Sequence, residues 1–309
     1  MIDTSSITKN FNQIPLQTVK GNFKEIFCFN TEFEEENIDH SVVESFGEEW
    51  KKFASFEDKE IDKLGKMYFD IIDENIVNKN TYGIDIGCGT GRWTKYLLDK
   101  IGFMEAIDPS EAIYTADKLI AEKENVRFSR ASTDNIPFED ETFDFGMSIG
   151  VLHHIPDTQK AMTNCVKKIK KGGYFYVYLY YNLEDRSAFF KFILSLVSLI
   201  RKVVSSLPSV LKKFVCDLIA IFIYMPVILL GRFSKFLGLK KFALSLPLSF
   251  YQNQSFFVVR NDALDRFGTS LEQRFSRSEI TEMMQKAGLS EVVISPNEPY
   301  YHAVGKKIN

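Results

Sequence analysis

Several protein classes are excluded by what this chain lacks. Its four cysteines, Cys28, Cys88, Cys165 and Cys216, are scattered, and no Cys-x-x-Cys pair occurs. It has four histidines, of which only His153 and His154 are close in sequence. Without metal-ligand spacing no zinc site is expected, and without a cysteine framework a reducing compartment fits best. The N-terminus has no apolar stretch, so no secretory signal is read there. No Gly-Lys-Ser/Thr follows a glycine-rich turn, which excludes a P-loop. No internal repeat is found. The uncharged run Leu218–Gly231 is 14 residues, short of the roughly 20 that span a bilayer.

Acids are scarce in one region. Residues 188–250 hold nine Lys/Arg and a single acid, Asp217. That stretch therefore carries +8, and the rest of the chain −11, against a total of −3. The total implies no global attraction to nucleic acid, but the asymmetry calls for a local explanation. The 309 residues suffice for one large or two modest domains, and 45% hydrophobic with 26% charged residues is a globular composition.

The most informative stretch runs from Tyr82 to Trp93. Tyr82-Gly83-Ile84-Asp85-Ile86 reads as a buried strand. Gly87-Cys88-Gly89-Thr90-Gly91 then makes a tight turn, and Leu97 and Leu98 continue at helical spacing. A strand, a glycine turn and a helix start form the first βα unit of a nucleotide-binding sheet. The bare backbone of the turn lets a ligand approach, and the helix N-terminus offers unpaired N–H groups. The spacing is Gly-x-Gly-x-Gly. Arg92 stands where a dinucleotide fingerprint has its third glycine, which disfavours an NAD-dependent oxidoreductase.

Further along, Phe103–Asp108, Val126–Ala131, Phe143–Ile149 and Tyr174–Tyr181 read as strands, with helices over 92–100, 110–119 and 158–169 between them. Alternating strands and helices predict a parallel sheet covered on both faces, with ligands beyond the strand C-termini. Ser276 and Glu279 form a capping-box pattern at a helix start. Leu289–Ile294 and Tyr300–Gly305 read as a terminal antiparallel pair. Upstream, residues 1–40 read as an irregular arm. Val42, Val43, Phe46, Trp50 and Phe53 suggest a short amphipathic helix, either packed on the core or capping the ligand site. A longer helix is predicted over 58–78.

Together these motifs resemble the class I S-adenosylmethionine (SAM)-dependent methyltransferases, of the type 11 kind. The likeness covers about 80–182 and 275–306. It rests on Asp85-Ile86-Gly87-Cys88-Gly89-Thr90-Gly91, on Asp108 closing the second strand and on Ile136-Pro137-Phe138 before Phe143-Asp144. Gly150-Val151-Leu152-His153-His154-Ile155-Pro156-Asp157 and Lys171-Gly172-Gly173 complete it. The resemblance implies a doubly wound Rossmann-like α/β sheet of seven strands, the last antiparallel. It also implies SAM as cofactor and S-adenosylhomocysteine as product. Cofactor contacts would fall on Asp85, Gly87, Cys88, Gly89, Gly91, Asp108, Pro109, Ser132, Thr133, Asp134, Ser148 and Gly150. Asp85 stands where the family places an acid near the ammonium group, and Asp108 would take both ribose hydroxyls, as a two-oxygen acceptor suits a diol. Many relatives have an acid where this chain has Ser132. The adenine amino group therefore falls to Ser132, to Asp134 or to backbone alone, with the Thr133 N–H donating to the ring. His154 or His153 is the candidate general base, with capping or packing as the alternative role.

The expected domains are an N-terminal arm and cap helix (1–55), the SAM-binding core (56–182), an inserted helical lid (183–274) and the C-terminal part of the core (275–309). Within 187–206 a narrow polar stripe leaves most of a helix apolar. Pro208 breaks it, a similar stripe follows from Ser209, and Pro226 interrupts the second helix. Asn253–Arg260 reads as a strand or a loop. Three readings of the insertion stay open: a lid packed on the acidic remainder, a lid that also touches a membrane surface through 188–250, and a basic lid steering an anionic substrate. The expected activity is methyl transfer from SAM to a small-molecule, glycan or lipid-like acceptor, in the cytoplasm or peripherally on the inner face of the membrane. The rival is a non-catalytic SAM-binding scaffold or regulator at a membrane. Nucleic acid is not an expected partner, since the basic residues alternate with apolar helix faces rather than stacking aromatics.

Overall fold

A computed structural model of the chain describes residues 8–29, 37–40, 42–43, 47, 58–182, 184 and 187–308. The helix expected over Val42–Phe53 falls largely outside the described residues. The chain divides into two compact units, Met1–Asn182 with Gln273–Asn309, and Leu183–Glu272.

The first unit is one mixed sheet with helices on both faces. Its strands are β1 (Gln17–Lys20), β2 (Glu25–Cys28), β3 (Tyr82–Ile86), β4 (Phe103–Ile107), β5 (Val126–Arg130), β6 (Phe143–Ile149), β7 (Ile169–Tyr178), β8 (Leu289–Ile294) and β9 (His302–Lys307). Their spatial order is β1-β2-β5-β4-β3-β6-β7-β9-β8. Strands β2 through β7 are parallel, β9 runs antiparallel to β7, and β8 antiparallel to β9. The helices are α1 (Asp58–Tyr68), α2 (Arg92–Leu98), α3 (Ala112–Leu119), α4 (Thr158–Lys167) and, after the second unit, α10 (Arg277–Lys286).

Among the described residues the sheet has nine strands, not the seven expected. The additional pair is the β1–β2 hairpin, in a stretch read from sequence as irregular. Its turn is held from outside, because the buried Asp117 carboxylate on α3 accepts from the N–H groups of Asn22 (2.5 Å), Phe23 (3.0 Å) and Lys24 (2.9 Å). Four-residue strands with one buried face give little periodicity, so only this contact reveals them.

All five residues of β3 and of β4 are buried, as expected for central parallel strands covered by helices. Glu105, fully buried in β4, is paired with Arg127 opposite it on β5 (2.7 Å) and accepts from the Tyr82 hydroxyl (2.6 Å). Lys171-Gly172-Gly173, expected as a turn before the fifth strand, lies within β7 instead. The extra residues are taken up as a register shift against β6. Helix α1 ends at Tyr68 rather than near 78. Short turns follow, and Asp73 accepts from the amides of Asn75 and Ile76. The capping box at Ser276 and Glu279 is present in both directions.

The second unit is helical: α5 (Ala188–Ser205), α6 (Ser209–Ile219), α7 (Met225–Phe236), α8 (Lys240–Ser245) and α9 (Phe256–Gly268). Pro208 separates α5 from α6, but Pro226 does not stop the next helix. A single π turn, Ala220–Tyr224, precedes it, and α6, the π turn and α7 run as one continuous 28-residue helix, Ser209–Phe236. A wider turn relieves the ring's clash and absorbs the missing N–H. By length and composition this helix could cross a membrane. The segment 253–260, read as strand or loop, mostly belongs to α9, whose N-cap Ser255 accepts from the Val258 amide.

Hydrogen bonds and ion pairs link several polar groups inside this unit. Asp262 accepts from Tyr224 (3.0 Å), Tyr251 and Arg266 (3.3 Å). Arg260 pairs with Asp217 (2.7 Å), and Arg201 with Glu272 (3.1 Å). The charged stretch 260–272, which no spacing could assign, is thus an internal framework.

Candidate active site

The site is built at the C-terminal ends of β3, β4 and β6. After β3 the chain turns through three residues with positive φ: Gly87 (79°), Gly89 (54°) and Gly91 (78°). The turn is pinned by amides of Gly87 (2.8 Å) and Cys88 (3.0 Å) donating to the Ile107 carbonyl at the end of β4.

The glycines do different work. A Cβ on Gly91 would lie 2.8 Å from Ile120 Cδ1 and 2.9 Å from Ala116 Cβ, so this residue lets the turn pack on α3. A Cβ on Gly89 would meet nothing within 4 Å. Gly89 therefore presents bare backbone to open space beside the N-terminus of α2. Gly150, just past β6, is open in the same way, with φ 78°. A cradle of this form admits a ligand on backbone alone.

The Asp108 carboxylate lies against that cradle. Gly89 N–H donates to Oδ2 (2.8 Å), while Oδ1 takes the amide (2.8 Å) and hydroxyl (2.5 Å) of Ser110. Burial raises its pKa, opposed by those bonds. One acceptor position of Oδ2 remains for a further donor. Asp85, near the end of β3, is 1% exposed and accepts from the Thr94 hydroxyl of α2 (2.5 Å). Burial pushes its carboxyl up to about 7; the Thr94 bond opposes this and the neighbouring Asp108 adds to it. A cation brought beside Asp85 would offset that cost. The Cys88 thiol is buried and its pKa is pushed well above the usual value, so it is inert as a nucleophile.

The other expected contact residues also make bonds within the protein. Ser132 Oγ accepts from the amides of Asp134 (3.2 Å) and Asn135 (3.3 Å). The Asp134 carboxylate is held by Lys160 (3.3 Å) and Asn164 (2.9 Å) of α4. Ser148, fully buried, ties β6 to β3 through the Ile86 carbonyl (2.8 Å). The Pro109 carbonyl accepts from Arg130 (3.1 Å), and Thr133 is buried.

His153 and His154 form a short helical turn, Leu152–His154, after Gly150, and both are buried. The His153 ring stacks on Tyr180 with centroids 4.0 Å apart and touches His154 at 4.1 Å. Among the described residues neither His153 ring nitrogen has a hydrogen-bond partner. Burial, with the neighbouring His154 and Arg274, holds its pKa well below the usual imidazole value, so the ring stays neutral. Gln273 and Arg274 complete this wall. The Gln273 amide donates to the His153 carbonyl (2.9 Å), and the Arg274 guanidinium lies 5.3 Å from the Tyr180 ring. Tyr181 turns the other way, onto Tyr300 and Tyr301.

The sequence did not point to an aromatic row beside the glycine turn. Tyr68 packs on Trp93 of α2 (4.3 Å) and on Tyr178 of β7 (5.2 Å). Next to it, His302 of β9 faces Tyr178 across the ladder and is held by Asp70 (2.7 Å). Against its own burial, bonds from Asn297, His302 and Ser295 keep Asp70 below the usual carboxylate range, and burial lowers the His302 pKa. A lone histidine near a C-terminus and an acid just after a helix carry no spacing signal.

Comparison with known proteins agrees with this geometry. A family model described as a methyltransferase domain matches residues 84–177. The chain is 26% identical over 144 residues to a ubiquinone biosynthesis O-methyltransferase of Coxiella burnetii, covering 45% of this chain and 61% of that protein. It is 35% identical over 102 residues to a demethylmenaquinone methyltransferase of Staphylococcus aureus, covering 31% and 42%. The chain thus spans at most about three-fifths of these relatives. Among solved structures, human N-acetylserotonin methyltransferase in complex with SAM aligns with TM-score 0.49 and 14% identity, over 85% of this chain and 57% of that one. A methyltransferase-like protein of Bacillus halodurans aligns with TM-score 0.47 and 13% identity, over 79% and 95%. Residues 84–177 thus match a methyltransferase domain, and the sheet around them has the Rossmann-like α/β order expected from the class I SAM-dependent methyltransferase motifs.

Proposed function

We propose that the chain transfers a methyl group from SAM to a small, ring-bearing, lipid-like acceptor of the quinone-precursor kind. The observation that carries the reading is the open backbone at Gly89 with its N–H on Asp108. Gly89 and Gly150 each present open backbone, past β3 and past β6, on the side where a nucleoside would bind. Asp108 offers a further acceptor position for a ribose hydroxyl, and Asp85 is a buried carboxyl that an ammonium group would ionise. SAM, when bound, supplies a methyl carbon on a sulfonium that an acceptor can displace in line.

The residues of this chain position and deprotonate the acceptor. Tyr68, Trp93, Tyr178 and Tyr180 form an aromatic row suited to a flat ring. His153, neutral and without a partner on either nitrogen among the described residues, accepts the hydroxyl proton as the oxygen–methyl bond forms. Its depressed pKa makes it a weak base, which suits a phenol better than an aliphatic alcohol. The names of the two relatives, both quinone-pathway methyltransferases, support the same acceptor class.

The test has two arms. Calorimetry should show SAM binding to the wild type and a strong loss in Asp108→Ala with folding intact. Incubation with isotopically labelled SAM and a short-chain prenylated catechol should yield the labelled methyl ether. SAM binding without methyl transfer to any phenolic or quinol acceptor would favour the scaffold reading, and absent SAM binding would end the proposal.

A further inference from the structure

Among the described residues, 25 large apolar side chains are exposed, and 20 of them lie in the helical unit 183–272. They are not scattered. On α5, Phe192, Leu196, Leu199 and Val203 are 49–67% exposed and follow at steps of four, three and four, one stripe of the helix. On the continuous helix 209–236, Cys216, Ala220, Tyr224, Ile228, Gly231 and Ser234 form the buried stripe. The opposite face presents Phe214, Leu218, Phe222, Leu229, Phe233 and Phe236, from 36% to 85% exposed. A soluble monomer rarely leaves so much contiguous apolar surface in water.

Charge selects the occupant. Residues 188–250, which include both helices, carry nine basic residues and one acid, and that acid, Asp217, is already paired with Arg260. Lys202, Lys240 and Lys241 are exposed. A second copy would bring the same surplus of positive charge against itself. A surface of anionic headgroups over an apolar layer matches both features.

The polar framework selects the orientation. The helix 209–236 has a mean hydropathy of 2.4 in its most apolar window and about 42 Å of length, enough to cross a bilayer. Its buried face, however, holds Tyr224 on Asp262, with Arg266 bonded to the same Asp262, and Asp217 beside that face pairs with the partly exposed Arg260. Crossing would carry those charges into hydrocarbon. Lying in the plane keeps them on the water side and puts only the exposed stripe among acyl chains.

We propose that the unit 183–272 is an in-plane membrane anchor. In it, α5 and the helix 209–236 dip their exposed apolar stripes into the acyl boundary of an anionic phospholipid surface, and the surrounding lysines sit at the headgroups. The inference does not depend on which acceptor is methylated.

The full-length protein should co-sediment with vesicles of phosphatidylglycerol and phosphatidylcholine. It should bind pure phosphatidylcholine vesicles at least about tenfold more weakly. Replacing Lys202, Lys240 and Lys241 together by Glu should weaken partitioning to the mixed vesicles about a hundredfold or more, at close to tenfold per lysine or less. Phe222→Glu and Phe233→Glu should each lower it about tenfold. Calorimetric SAM binding checks that every variant is folded and keeps the donor site separate from the anchor. A tryptophan placed by Phe222→Trp should be quenched by lipids brominated near the headgroup end of the chain. Equal binding to neutral and anionic vesicles, or none to either, would overturn the proposal. So would resistance to alkaline carbonate extraction, which marks a spanning helix. Concentration-dependent dimerisation that buries the Phe222 position, without vesicle binding, would assign the face to a second copy instead.

Discussion

Alanine at Gly89 separates the ligand-binding role of the glycine turn from its folding role. Gly89 has φ 54°, and an alanine there pays about 1–2 kcal/mol for the left-handed conformation. Its methyl meets no atom within 4 Å, so no packing cost is added. A domain stable by about 5–15 kcal/mol survives that loss. The methyl would project into the space assigned to the methyl donor. Overfilling of about 1–3 kcal/mol there weakens binding roughly 5- to 150-fold. Gly91→Ala makes the opposite case. It carries the same conformational cost and also forces contacts of 2.8 and 2.9 Å on Ile120 and Ala116. The sum, about 2–5 kcal/mol, falls on stability. Urea unfolding and calorimetric titration with SAM and S-adenosylhomocysteine, run on both variants, separate the two effects. Wild-type SAM affinity in Gly89→Ala, or Gly91→Ala as stable as Gly89→Ala, would refute the reasoning.

Three further outcomes are expected. Asp85 is buried with its carboxyl raised to about 7, so its contribution to stability is present below the ordinary carboxyl value and lost as pH rises through about 7. The span corresponds to about 4 kcal/mol. Asp85→Asn should flatten stability across that window, from about pH 4 to about pH 7, and abolish proton release on SAM binding, read by calorimetry in buffers of differing ionisation enthalpy. His302 and Asp70 are both held low, so their contribution is complete above the usual imidazole value and is lost as pH falls below it. Asp70→Asn should cost about 1.5–3 kcal/mol at neutral pH, measured by urea unfolding. His153→Asn should lower kcat roughly 10²- to 10⁴-fold with KM little changed. The acidic limb of the wild-type rate profile should lie below that of free imidazole, because burial holds this ring neutral.

The glycine turn, Asp85 and Asp108 were legible because backbone chemistry ties residue type to position there. A left-handed turn favours glycine, and a carboxylate just past the second strand can reach only that turn. The strand and helix order followed from alternation of apolar segments, and the capping box from a four-residue pattern that needs no tertiary partner. The β1–β2 hairpin was not legible, because it depends on Asp117, some 90 residues away in sequence. Helix 209–236 ran through Pro226 against local expectation, because a π turn reshaped its ladder. The bonds that Ser132, Asp134 and Ser148 make within the protein, to a turn, to α4 and across the β3–β6 seam, had no spacing signal. His302 gained its partner Asp70 only when the last strand was inserted between β7 and β8. Local patterns set what each segment can form. Which polar groups face each other across more than two hundred residues is decided when the sheet closes, since a hydrogen bond is specified by position in space and not by spacing along the chain.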